Sequence, residues 1–469
     1  MTGVAFPNLT LTITPPGGSP ATYQQYLAWS GASQALTITQ NFGRQGDTAM
    51  IPLVDDWQGR TSPHFVIETL SQISLYDNTA GVSLFAGVIT TPGLLVTGAT
   101  SNEWDLGCVD YTYYADNEIV QGTFNGYTVD QIIVELTEQA NCGINAATVQ
   151  NGGFVAPGPQ LASFVQNFDK LSNAWRNLAA LASAVTPYGW YVDENRNLHF
   201  YDSTTALNSG VTFTTSPTAA GLGSLTEGHI DLDSTFLYEW NATTMHNRVL
   251  VQGANQTIPY VSTTNAPTDT WLANGVDSSW PLRYIVSGTP VLTIGGTSQT
   301  VTVVTAGDTG SGEWQVQQNA NGAYFLINTV SAPAAGVVIK AWYNYQVPVV
   351  AVANDYASQQ AYTGPNSGVF AEFISDSSLT TVPMALARAM SERTEYSVPV
   401  EQIAFDTTEE WVGWVRAGWT CQIINSLVPD AQNSYTWGID DTFLITANTV
   451  TLGQNGNPYR VASITAVRI

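Results

Sequence analysis

The sequence predicts a mainly β, β-rich α+β chain made of several domains. Three observations predict it. Short segments that alternate apolar and polar residues recur along most of the 469 residues. Only three segments repeat apolar residues at helical spacing. Charged side chains are 11% of the chain, against about 25% in an ordinary soluble domain, so Thr, Ser, Asn, Gln and Gly must build much of the surface.

Residues 1–110 read as strands: LTLTIT (9–14), ALTITQNF (35–42), AMIPLV (49–54), HFVIETL (64–70) and VSLFAGVIT (82–90). PPGGSP and DNTAG supply turns between them. Strands with so little helix between them point to a barrel or sandwich. Residues 110–205 read as a small α+β domain. Thr128 and Gln131 have capping-box spacing, Ile132, Ile133, Leu136 and Ala140 form a helical stripe, and Asn141 and Gly143 stop it. Ser172 is the N-cap expected for a second helix with Trp175, Leu178, Leu181, Ala182 and Val185 inward. GWYVDENRNLHFYD (189–202) reads as a hairpin turning at Glu194 and Asn195.

A Thr/Gly/Ser-rich stretch (203–224) follows, then the buried-type strand NRVLVQG (247–253). Residues 257–346 are rich in Thr, Val, Gly, Asn and aromatics and read as an inserted β-sandwich-like domain, with a Gly-Gly turn at 295–296. Residues 350–469 carry one helix, capped by Thr381 with Pro383 in its first turn and Ala385, Leu386, Ala389, Met390 and Arg393 on its inner face. Strands at 402–407, 420–424, 442–452 and 459–467 complete the chain.

Net charge is −24, and Lys170 and Lys340 are the only lysines. Gripping nucleic acid takes basic side chains that displace counterions from phosphate, and no basic run exists. Anionic lipid is disfavoured for the same reason. The first basic residue is Arg44, so a secretory signal is not expected. No apolar run reaches the ~20 residues of a membrane helix. Cys108, Cys142 and Cys421 are too far apart for a disulfide framework or CxxC pair and read as small buried apolar residues.

Chemical motifs are sparse. His64, His199, His229 and His246 are scattered, so no zinc set is readable. Asp308, Thr309 and Gly310 match the aspartic-peptidase tripeptide, but turn chemistry explains Asp and Gly there. Asp231 with Asp233 is a weak calcium pattern. Asp55–Asp56 and Asp440–Asp441 are carboxylate pairs of the kind glycoside cleavage uses, in turn and strand settings where solvated acids are ordinary. No catalytic, cofactor-binding or metal residue is assigned, and an enzyme is not expected. Trp271 and Trp314 are candidate glycan contacts, with core packing the competing explanation for the aromatics, Trp280 and Trp342 above all.

In this order, the parts resemble the baseplate-hub (tail-tip hub) proteins of tailed bacteriophages, a family shared with the hub part of type VI secretion spike proteins. Four stretches carry the resemblance: LFAGVIT (84–90); LGCVDYTYYADNEIVQGTFNGYTVDQIIVEL (106–136); LSNAWRNLAALASAVTPYGWYVDENRNLHFYD (171–202); and NRVLVQG (247–253) with IAFDTTEEWVGWVRAGWTCQII (403–424). The resemblance implies two tube-like β-barrel hub domains. One is 1–110 with 225–246 returning to it; the other is 247–256 with 350–469. It also implies a homotrimer forming a pseudo-sixfold ring that joins the hexameric tail tube to a threefold tip, around a channel for genome ejection.

The implied partners are a tail tube or distal tail protein, a tape-measure protein, and tip, spike or fibre proteins, with DNA passing unbound. The implied location is the distal end of the virion tail, after synthesis in the host cytoplasm. The family's C-terminal lysozyme or peptidase extension has no counterpart before Ile469, so cell-wall digestion is expected of another protein. The alternative function is a tail-tip adhesin binding host glycan through 257–346.

Overall fold

The structure is a computed structural model. It describes residues 8–28, 35–43, 46–56, 62–79, 81–161, 164–183, 188–215, 227–230, 236–260, 266–304, 310–319, 323–362, 368–407, 415–430, 436–454 and 457–469. The chain divides into two compact units, one of Met1–Leu250, Val352–Glu372 and Leu386–Ile469, the other of Val251–Ala351 and Phe373–Ala385.

In the larger unit the alternating segments do become strands. LTLTIT forms Leu9–Thr14 with every second side chain buried, and LTITQN forms Leu36–Asn41 in the same way. Among the described residues, fourteen strands join in one sheet. Seven come from residues before 111 and seven from residues after 207. In each set a long strand lies fourth in spatial order: Val82–Gly98 in the first, Thr436–Gln454 in the second.

The expectation of two tube-like β-barrels is wrong. No sheet closes among the described residues. Closure needs terminal strands to pair, but Ala21–Thr22, Glu227–His229 and Leu237–Asn241 end the sheet without pairing with one another. The physical reason lies in the Thr436–Gln454 strand. Its first part pairs with Thr420–Asp430; past an irregularity at Ile445–Ala447, Ala447–Leu452 pair with Leu36–Asn41 on that side. The C-terminal strands therefore run on into the N-terminal ones. Leu11, Ile38, Leu75 and Leu106 from one set share a single apolar core with Phe213, Phe405, Ile423 and Phe443 from the other.

The helical segments of 110–205 also form. Val129–Ala140 opens with the Thr128–Gln131 capping box, Gln131 Oε1 accepting from the Thr128 N–H at 3.0 Å, and ends at Asn141 in the left-handed region. The second helix, Leu171–Ala182, begins at its cap Lys170, two residues before the expected one. Ser172 instead donates its hydroxyl to Asp116. Trp175 joins the two helices by donating to Thr137 Oγ1 at 3.1 Å. Val382–Tyr396 is the third long helix, with Met384 N–H directed at Thr381 Oγ1.

In the smaller unit two sheets face one core of Trp280, Trp314, Leu326, Leu292, Ile339 and Tyr343. Gly295 and Gly296 both take positive φ in the two-residue turn between Ile294 and Thr297, the conformation such a hairpin demands.

Candidate functional site

The structure separates most of the chemical motifs. Asp55 and Asp56 follow one another in a strand, so their side chains point to opposite faces. Asp55 is fully buried and holds His64, through its backbone N–H at 2.8 Å and Nδ1 at 2.6 Å; Asp56 is exposed. Asp440 and Asp441 divide likewise: Asp440 accepts from Gln422 Nε2 at 2.6 Å, while Asp441 pairs with Arg468. Neither pair presents two carboxylates to one point.

His199 sits in the hairpin, 3.0 Å from Asp193 Oδ2 and stacked between Phe154 and Tyr191. Asp231, Asp233 and Asp308 lie outside the described residues. Among the described residues no cluster of His, Cys, Asp and Glu suits a metal ion, and no helix is long and apolar enough to cross a membrane. Cys108 and Cys421 are buried, and burial pushes the Cys421 thiol up to about 12. Trp314 is 3% exposed and packs on Trp280 with ring centroids 5.7 Å apart; Trp271 is half-buried against the same core.

A connected group of polar contacts lies where the 188–202 hairpin meets the large sheet. Gly43 N–H donates to Trp190 O at 3.1 Å, and Tyr201 Oη donates to Gly418 O at 2.8 Å. Phe42 stacks on Tyr201 and lies so close to Gly189 that a Cβ there would run into its ring. Arg196 at the hairpin turn covers the Tyr111 ring at 4.6 Å.

Beneath this contact lies a mostly buried guanidinium. Arg416 Nη2 is 2.6 Å from Asp47 Oδ2, and its Cζ stands 4.1 Å over the Tyr191 ring. Asp47 also accepts from the Asn41 N–H and donates its own N–H to Asp110 Oδ2 at 3.0 Å. Asp110 accepts further from the Thr112 N–H and hydroxyl. Burial, reinforced by the neighbouring Asp47 charge, pushes the Asp110 carboxyl up to about 7, against the pull of its donors. Burial raises Asp47 as well, opposed by Arg416. Burial alone would lower Arg416, but Asp47 and its neighbours hold it above its usual range.

Beside Arg416 opens a cavity of about 530 Å³, within the usual range of small-molecule sites. Gln40, Ser83, Tyr76, Tyr111, Glu194 and Trp419 are among its lining. Three of its lining residues each keep one polar atom buried with no hydrogen-bond partner in the protein: Gln40 Oε1, Ser83 Oγ and Arg416 Nε. Sequence reasoning missed this group, although a signal existed. Alternation through Leu36, Ile38 and Gln40, and through Trp104, Leu106, Cys108 and Asp110, carries an amide and a carboxylate to the apolar face of their strands.

No protein-family profile matches the chain, and no curated protein matches it. Solved structures do. The 43 kDa tail protein of prophage MuSo2 from Shewanella oneidensis superposes with a TM-score of 0.52 at 12% identity, covering 98% of each chain. A tail protein from Neisseria meningitidis MC58 gives 0.49 at 10% identity, over 98% of this chain and 96% of that one. The Escherichia coli c3393 protein, described as a type VI secretion component structurally similar to T4 tail proteins gp27 and gp5, gives 0.42 at 10% identity, over 94% and 76%.

The chain thus has, end to end, the fold of a prophage tail protein. That shared fold agrees with the resemblance to tail proteins read from the sequence.

Proposed function

We propose that the chain is a structural, non-enzymatic hub at the distal end of a phage tail. Three copies form a ring that joins the tail tube to the tip and surrounds the path of the ejected genome. The observation that carries this reading is the fold shared along 98% of both chains with a prophage tail protein. The two seven-strand sets of the large sheet support it, because three copies then offer six comparable halves to a sixfold tube while keeping threefold symmetry toward the tip. An open sheet edge suits ring contacts between copies. An acidic chain with two lysines repels phosphate and lets DNA pass unheld. The expected partners are a tail tube or distal tail protein, a tape-measure protein, and tip or fibre proteins. Light scattering with negative-stain imaging of the purified chain tests this. A mass three times 50.3 kDa with threefold rings is expected. A monomer that also fails to join tail particles in a complementation assay would overturn it.

A further inference from the structure

We propose that neighbouring copies of the chain join strand to strand, residues 91–96 of one copy pairing with Leu237–Asn241 of the next. This deepens the hub reading and rests on it. The chain itself supplies the template. Taken in chain order, the seven strands of both sets lie across the sheet as third, fourth, seventh, sixth, fifth, first and second. The first strand alone changes direction, antiparallel to the fifth in one set and parallel to it in the other. The sixth and seventh strands match in detail. Val82–Gly98 skips register at Thr90, and Thr436–Gln454 skips it at Thr446. Each of these threonines donates its hydroxyl to a seventh-strand carbonyl at 3.2 Å, Thr90 to Gly107 and Thr446 to Thr465.

Past its irregularity, Thr436–Gln454 pairs with Leu36–Asn41, the third strand of the other set, and this contact joins the two sets. Its counterpart has no place within one chain. Val82–Gly98 meets Gln72–Asp77 over residues 82–88 and no described strand beyond them on that side. Leu237–Asn241, the third strand of the second set, pairs among the described strands with Val400–Thr407. The side chains record the same gap. By the shared register, Leu94 and Val96 stand where Val450 and Leu452 stand. Val450 and Leu452 lie opposite Ile38 and Leu36 and are 1% exposed; Leu94 and Val96 are 50% and 69% exposed. Residues 90–100 carry no charge to guard this edge; Pro92 withholds one N–H from a ladder and no more. The register follows from the fourth strands. Met50 and Ala404 face Gly107 and Thr465 at matching places, and on their other side face Thr37 and Leu237. Thr37 meets Thr451, whose counterpart is Leu95. Leu95 therefore meets Leu237 of the next copy, and Leu94 meets its Tyr238. Two different edges meet head to tail, the kind of contact from which a threefold ring is built.

Cysteine crosslinking of the full chain tests it, in the purified protein and in tail particles that carry it. Residues directly opposite in an antiparallel pair have Cα atoms about 4.5–5.5 Å apart, within disulfide reach. The chain with both Leu95→Cys and Leu237→Cys, oxidised after assembly, is expected to run on a non-reducing gel as a covalent trimer, three times 50.3 kDa, and as single chains after reduction. Each single variant is expected to stay unlinked. So is Leu95→Cys combined with Asn241→Cys, which lies about 13 Å off register. As a second measurement, Val96→Lys changes a side chain exposed in the single chain, so near-ultraviolet circular dichroism should stay native while light scattering shows the trimer lost. Threefold rings without a link between the two cysteines overturn the strand pairing and leave the hub reading standing. So do a link within one chain, a link to a different tail protein, equal linking by the off-register pair, or trimers that survive Val96→Lys. Absence of rings from both the purified chain and the tail particles overturns the hub reading, and this inference with it.

Discussion

Replacing Arg416 by Met removes the guanidinium from Asp47 while keeping an unbranched side chain over Tyr191. Asp47 is 4% exposed and its oxygen lies 2.6 Å from Arg416 Nη2. Two unit charges at about 4 Å attract by about 4 kcal/mol at an effective dielectric constant near 20. Breaking a buried pair by removing one partner costs about 3–5 kcal/mol, because the other charge stays behind unpaired. The abandoned carboxylate escapes part of that penalty by taking up a proton, so the cost is expected near 3 kcal/mol at pH 8 and smaller at pH 5. Urea unfolding of the parent, Asp47→Asn, Arg416→Met and the double variant, followed by tryptophan fluorescence, measures it. The double variant is expected to be more stable than Arg416→Met, giving a coupling of about 2 kcal/mol or more. A single-variant cost under about 1 kcal/mol, or coupling within about 0.5 kcal/mol of zero, would refute the assignment of this pair as a structural junction.

Three further outcomes are expected. The Asp110 carboxyl holds its proton up to about 7 in the fold against 3.8 ordinarily, so the stability it contributes is complete below about pH 4 and lost as pH rises through about 7. Asp110→Asn should flatten the slope of the urea midpoint between pH 5 and 8, and an unchanged slope would count against it. Arg468 holds Glu401, Asp430 and Asp441 at once, so Arg468→Ala should lower stability by about 3 kcal/mol. Arg468→Lys should restore only part of the loss, since an ammonium lacks the planar fork; denaturant midpoints compare the three. In the smaller unit Tyr343 Oη donates to the Asp269 carboxylate from a fully buried ring. Tyr343→Phe should cost about 1–3 kcal/mol, seen as faster amide exchange along Val338–Asn354.

Strand content was legible because a half-buried strand writes its faces into the chain: Leu9, Leu11 and Ile13 are buried while the threonines between them are not. The capping box at Thr128 was legible because its partners are three residues apart. Sheet closure was not. Alternation says which face a residue takes and nothing about which strand lies beside it. The pairing that joins the two strand sets brings Thr39 to Thr449 across 410 positions. The site by Arg416 was missed for a related reason. Asp47, Asp110, Tyr191 and Arg416 come from four distant segments, and no local spacing announces them. What is visible locally is a polar residue in phase with apolar ones, at Gln40 and Asp110.

The same long-range pairing bears on synthesis. Leu36–Asn41 leaves the ribosome well before its neighbour Ala447–Leu452, the pair Thr39 and Thr449 being 410 positions apart. Until then the N-terminal strands carry an unpaired backbone edge, a template for pairing with another nascent chain. Two features of that edge temper the hazard. It is six residues long, and its outward positions are Thr37, Thr39 and Asn41. Slow, non-local pairing of this kind makes the arrival of Ala447–Leu452 the step that commits the larger unit to its final sheet. A chain truncated before residue 447 would leave Leu36–Asn41 paired on one side alone, with Thr48–Asp56.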